Sequence, residues 1–71
     1  MIIYTFFKHR AGGPVPEFQL EGFYDQASAE AHARILMVRS GYTAVDIFDG
    51  SDAFRVTADS QKAISLDYTT R

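Results

Sequence analysis

The stretch QASAEAHARILMVRS (26–40) constrains this chain more than any other. It is rich in Ala and straight-chain residues that lose little entropy on entering a helix. Asp25 stands where an N-cap is needed, its carboxylate placed to accept from the free amides of the first turn. Gly41 closes the segment as a left-handed C-cap, with Arg39 favourably placed in the last turn.

The apolar residues of this helix fall on two arcs. At about 100° per residue, Ala27, Ala31, Ile35, Val38 and Tyr42 share one side. Ala29, Ala33, Leu36 and Met37 share another, roughly opposite. Polar residues fill the gaps: Ser28, His32 and Arg39 on one flank, Glu30 and Arg34 on the other at salt-bridge spacing. The first arc is assigned to a sheet. A surface helix needs only one apolar stripe, so the second implies a further cover. That cover is either the C-terminal tail, through Ile64, Leu66 and Tyr68, or a partner: a second copy or another protein.

Length favours the partner. A domain of 71 residues buries only roughly 60% of the surface its unfolded chain exposes. The chain has no cysteine, which removes disulfides and thiolate metal sites as staples and leaves association as a route to stability. Small alanines with a protruding Leu–Met pair suit close helix contact, and Met adapts to a partner surface. The expected interaction surface is Ala29, Ala33, Leu36 and Met37.

Around the helix the chain reads as strand. IIYTFFKH (2–9) combines β-branched and aromatic residues, with Ile3, Thr5 and Phe7 on one face and Ile2, Tyr4 and Phe6 on the other. Both faces are apolar, which predicts a central strand covered on more than one side. AGGPVP (11–16) is a loop. EFQLEGFY (17–24) alternates, with Phe18 and Leu20 expected inward, Gln19 and Glu21 outward, and a bulge or close approach at Gly22. These two strands form an antiparallel hairpin. In the tail, Asp59 or Ser60 is placed to cap a short helix, while Ile64, Leu66 and Tyr68 alternate as a strand does. An irregular or short strand-like tail, lying on the body, is preferred.

The segment TAVDIFDGSDAFRV (43–56) sets three aspartates at a spacing of three, which raises cation binding against a plain hairpin. Register decides between them. A two-residue Asp49–Gly50 turn sets Ile47 opposite Asp52, and a three-residue loop sets Ile47 opposite Arg55. A four-residue loop, Asp49 to Asp52, pairs Ile47 with Phe54, Val45 with Val56 and Asp46 with Arg55. Apolar then meets apolar on one face and an ion pair forms on the other. Asp49 opens the turn by accepting from backbone amides two residues on. A calcium loop needs a different acid spacing and a distant Glu. The segment is a bend.

No motif points to catalysis, a metal or a cofactor. His9 and His32 lack ligand spacing and read as surface residues. Ser51 in DGSD is turn chemistry rather than a nucleophile elbow. Gly12 and Gly13 run into Pro14 and leave no helix N-terminus for phosphate. An alternative surface for single-stranded nucleic acid comprises Tyr4 and Phe6 beside Lys8 and Arg10, since aromatics near basic residues stack bases. The formal net charge of −2 argues against it, because phosphate neutralisation supplies most of such affinity. The apolar run Ile2–Phe7 is too short to span a bilayer and has no preceding positive charge, so the expectation is a cytoplasmic protein without a membrane contact.

The order strand, strand, helix closed by Gly41, then AVDIFDGSDAFRV resembles a set of small bacterial proteins of ββαββ plan. In these an aromatic followed by Asp-Gly precedes a final strand bearing Arg. The resemblance spans most of residues 2–57 and implies a fold but no activity. The expectation is one α+β domain over 1–71: a four-stranded antiparallel sheet in ββαββ order with one helix packed on a face, and a short tail over 59–71. Its expected role is a non-catalytic protein–protein interaction module that self-associates.

Overall fold

The computed structural model describes residues 1–59 and 62–66. The fold is α+β: strands β1 (Ile2–His9) and β2 (Glu17–Phe23), helix α1 (Gln26–Ser40), then strands β3 (Ala44–Phe48), β4 (Ala53–Thr57) and β5 (Ile64–Leu66). All strands belong to one antiparallel sheet in the order β2-β1-β3-β4-β5. The sheet thus has five strands rather than the expected four. The fifth comes from the tail, where Ile64 and Leu66 share a face and Ile64 pairs with Arg55. Ser60 and Tyr68, the other tail residues considered, lie outside the described residues.

The helix is capped as its sequence requires. Asp25 Oδ1 accepts from the Ser28 amide at 2.9 Å. Gly41 adopts φ 73° and donates its amide to the Met37 carbonyl at 3.1 Å, a left-handed stop that glycine takes without a Cβ penalty.

The β3–β4 hairpin has the register that apolar pairing demands: Val45 opposite Val56, Asp46 opposite Arg55 and Ile47 opposite Phe54. Asp49 Oδ1 accepts from the amides of Ser51 and Asp52 at 2.9 and 2.8 Å, and Gly50 carries φ 99° through the bend. Those two amides hold the Asp49 carboxyl below its usual range. In β2 the pairing with β1 continues unbroken through Gly22, which lies opposite Ile3. Gly22 therefore marks a close approach and no bulge: a Cβ there would come within 2.8 Å of the Met1 sulfur.

One core lies between the helix and one face of the sheet. Tyr4, Phe6, Val45, Ile47 and Val56 from the strands are fully buried against Ala29, Ala33 and Met37 of the helix. The helix is therefore mounted on the arc opposite to the one expected. Leu36 and Ala63 pack at the margin of this core, while Ile35 and Val38 of the other arc stand 51% and 87% exposed. Small residues meet large ones across this layer: the sheet contributes rings, with Phe23 close to both Tyr4 and Phe6, and the Ala29–Ala33 stripe lets the helix backbone sit close over them.

Candidate interaction surface

The two faces of the sheet are unequal. Side chains alternate along a strand, so the registers define what the helix leaves uncovered. One row runs across all five strands: Phe18, Phe7, Asp46, Arg55, Ile64. The next is Leu20, Thr5, Phe48, Ala53, Leu66. Ile3 and Gly22 extend the face at one end, His9 and Ala44 at the other. Among the described residues no element lies over it, so β1 is central in the sheet but covered on one side only.

Most of this face is apolar. Ile3, Phe18, Leu20 and Ile64 are 60%, 67%, 62% and 52% exposed. The rings of Phe7 and Phe18 stand side by side with centroids 6.4 Å apart. Phe18 and Leu20, expected in the core, thus point away from it, and Gln19 and Glu21 point to the helix side. That inversion is stable because the polar side chains of β2 satisfy one another beside the helix. Lys8 Nζ donates to Gln19 Oε1 at 2.7 Å, and Gln19 Nε2 donates to Glu21 Oε1 at 2.7 Å. Glu21 Oε1 in turn lies 3.6 Å from His32 Nε2.

At the middle of the open face sits one ionic cluster. Arg55 donates from Nε to Asp46 Oδ1 at 2.7 Å and from Nη2 to Oδ2 at 2.9 Å. His9 Nε2 lies 3.0 Å from the same Oδ2. The Asp46 side chain is only 8% exposed and Arg55 42%. Burial pushes the Asp46 carboxyl upward, but the hydrogen bonds from Arg55 and then His9 outweigh it and hold the group below its ordinary value. A carboxylate gripped this way orients a guanidinium and an imidazole in an apolar field. It leaves the face with no unbalanced acid.

The sequence-derived surfaces fall elsewhere. Ala29 and Ala33 are fully buried, Met37 is buried and Leu36 half-buried, all on the protein's own sheet, so this arc is the core and not a partner surface. Tyr4 and Phe6 are 1% exposed beneath the helix and cannot stack bases. Lys8 and Arg10 do not flank them as a basic surface. Arg10 lies over the Tyr42 ring at 4.2 Å, donates to Glu17 Oε2 at 3.0 Å and reaches the Ser40 carbonyl at 2.7 Å. Lys8 Nζ stands 5.4 Å from the same ring, and Tyr42 donates its hydroxyl to Glu17 Oε1 at 2.7 Å. The tyrosine bond and then the Arg10 bond depress the Glu17 carboxyl, while the Glu17 bond raises the Tyr42 phenol. This cluster ties the start of β2 and the end of β1 to the helix C-terminus.

The histidines lie on opposite sides of the sheet. His9 belongs to the Asp46 cluster, and His32 is wedged among Phe6 and Phe23 with ring centroids 5.7 and 5.2 Å away. Neither is the plain surface residue expected. On the helix side, a groove of about 330 Å³ is lined by Arg34, Met37, Val38, Tyr42, Thr57 and Ala58.

The open face escaped sequence reasoning because alternation divides a strand into two faces without saying which is covered. The usable signal was numerical: β1 is apolar on both sides, and among the described residues a single helix is there to cover them. No described helix is long and apolar enough to cross a membrane. Comparisons with models of protein families, with curated proteins and with solved structures found no match to this chain.

Proposed function

We propose that this chain is a small non-catalytic protein–protein interaction module whose contact surface is the uncovered face of the sheet. The observation that carries the reading is the exposure by more than half of Ile3, Phe18, Leu20 and Ile64 on that one face. Isolated exposed apolar residues need no explanation, whereas a contiguous apolar patch of several hundred Å² marks a binding surface. The titratable groups there support a non-catalytic role. Asp46 is engaged by Arg55 and His9 rather than aimed into a cleft, and the described grooves lie on the helix side.

The face is an apolar field around a small ionic centre whose charges are paired with each other. Anilinonaphthalene sulfonate, a dye that brightens on apolar surface, tests this at protein concentrations low enough to keep partners apart. Dilute protein is expected to enhance the dye, and Phe18→Ser/Leu20→Ser to abolish most of the gain with far-UV circular dichroism unchanged. No enhancement by the dilute wild type, or equal enhancement by the variant, defeats the reading.

A further inference from the structure

The open sheet face, once read as a docking surface, has a specific requirement for its occupant. We propose that the occupant is a second copy of this chain, packed sheet to sheet about a two-fold axis; the proposal rests on the docking reading of the same face.

Shape is the first argument. Apart from its central ion pair the surface is a broad antiparallel sheet of apolar rows, and the natural mate of such a surface is another sheet stacked about 10 Å away. Area is the second. With strands about 4.8 Å apart and about 3.3 Å per residue, the five strands present roughly 450 Å² in plan. Two such faces give roughly 900 Å² in plan, just short of the ~1,000 Å² that a specific interface should clear, which fits a weak, concentration-dependent dimer.

Charge is the third argument. On this face Asp46 and Arg55 are already joined to each other. Phe18, Phe7 and Ile64 in the same row, and the next row from Leu20 to Leu66, carry no charge, and His9 on the other side is held against Asp46. A surface without unbalanced charge meets its own image without like-charge repulsion, which an isologous contact demands. A strongly acidic or basic partner finds no counterpart here.

The β2 edge disfavours the other way two sheets join. β2 carries Glu17, Gln19 and Glu21 along that edge, and charged edge strands resist edge-to-edge pairing. Association of two copies at this side of the sheet is thereby directed to the face.

Sedimentation equilibrium over a wide range of protein concentration tests the proposal, with Phe18→Asp/Leu20→Asp, Ile64→Asp and Val38→Asp beside the wild type. The first two variants strike opposite edges of the sheet face, and the third strikes the exposed outer stripe of the helix. The wild type is expected to dimerise. Phe18→Asp/Leu20→Asp is expected to weaken the dimer at least about a hundredfold, because two-fold symmetry removes each contact twice. Ile64→Asp should also weaken it, and Val38→Asp should leave it intact. Far-UV circular dichroism identifies any variant that fails to fold, and Ile64→Asp then replaces the β2 pair as the deciding variant. A wild type that stays monomeric while its face still binds the dye overturns the second-copy proposal and leaves the docking reading standing. A dimer that survives both sheet-face variants but dissolves in Val38→Asp overturns the sheet-face dimer and moves the contact to the helix.

Discussion

The Asp46–Arg55 pair gives the sharpest energetic test of the described geometry. Arg55→Ala leaves a carboxylate that is 8% exposed with His9 as the remaining partner identified at this cluster. Breaking a buried pair from that side strands a charge and costs about 3 kcal/mol, the low end for such losses because Arg55 itself is partly solvated. Asp46→Ala is milder. The guanidinium it leaves behind is 42% exposed and keeps its access to water, so the expected cost is about 2 kcal/mol for the lost charge-assisted bonds. The double variant strands nothing and should cost about the same as Asp46→Ala alone, a coupling of about 3 kcal/mol. For a domain of this size each kcal/mol moves the thermal midpoint by roughly 4–8 °C. Urea unfolding followed by circular dichroism measures all four species, at one fixed protein concentration because association raises apparent stability. Additive single effects would refute the reasoning, as would an Asp46 loss larger than the Arg55 loss.

Three further outcomes are expected. Ala33→Leu, at a fully buried position under the rings of the sheet, should cost about 2 kcal/mol by overpacking, read from the urea midpoint; a neutral result would place the helix the other way round. Gly41→Ala, at φ 73°, should cost about 1 kcal/mol from left-handed strain, with secondary structure retained by circular dichroism. The folded-state carboxyls of Asp46, Asp49, Asp25 and Glu17 are all depressed, so their contribution is complete above an unfolded carboxyl value of about 4 and is lost as pH falls through the lower folded values. The phenols of Tyr4, chiefly through burial, and Tyr42, chiefly through Glu17, are raised. Their contribution is complete below about pH 10 and is lost as pH climbs through the folded values. A urea midpoint measured from about pH 2 to about pH 11 should show a plateau with both shoulders, and Asp46→Asn should flatten part of the acid one.

Local chemistry was legible in the sequence wherever two residues constrain each other. Asp25 and Gly41 bound the helix because a first turn lacks acceptors and a last turn needs a left-handed residue. The β3–β4 register followed from Val45, Ile47, Val56 and Phe54 needing one face and Asp46 and Arg55 the other. Sidedness was not legible, because it is decided by what arrives from elsewhere in the chain. The two helix arcs are almost equally apolar and each carries an alanine pair, so nothing local says which of them meets Tyr4, Phe6 and Phe23. In β2 the ordinary rule of apolar inward and polar outward is reversed, since Glu17, Gln19 and Glu21 find partners in Tyr42, Arg10, Lys8 and near His32 that no local pattern reveals. A local rule broken without loss of internal pairing is where function is to be sought, and here it exposes Phe18 and Leu20.

β1 carries a double duty. Hydrogen-bonded along both margins, it sends Tyr4 and Phe6 into the interior and Ile3, Thr5 and Phe7 to the open side. A slip of one residue would trade these sets and erase the buried anchor and the open apolar patch in the same stroke. Tolerance to substitution in this strand should therefore be low at odd and even positions alike, and the proposed contact side cannot be adjusted there without touching what holds the sheet upright.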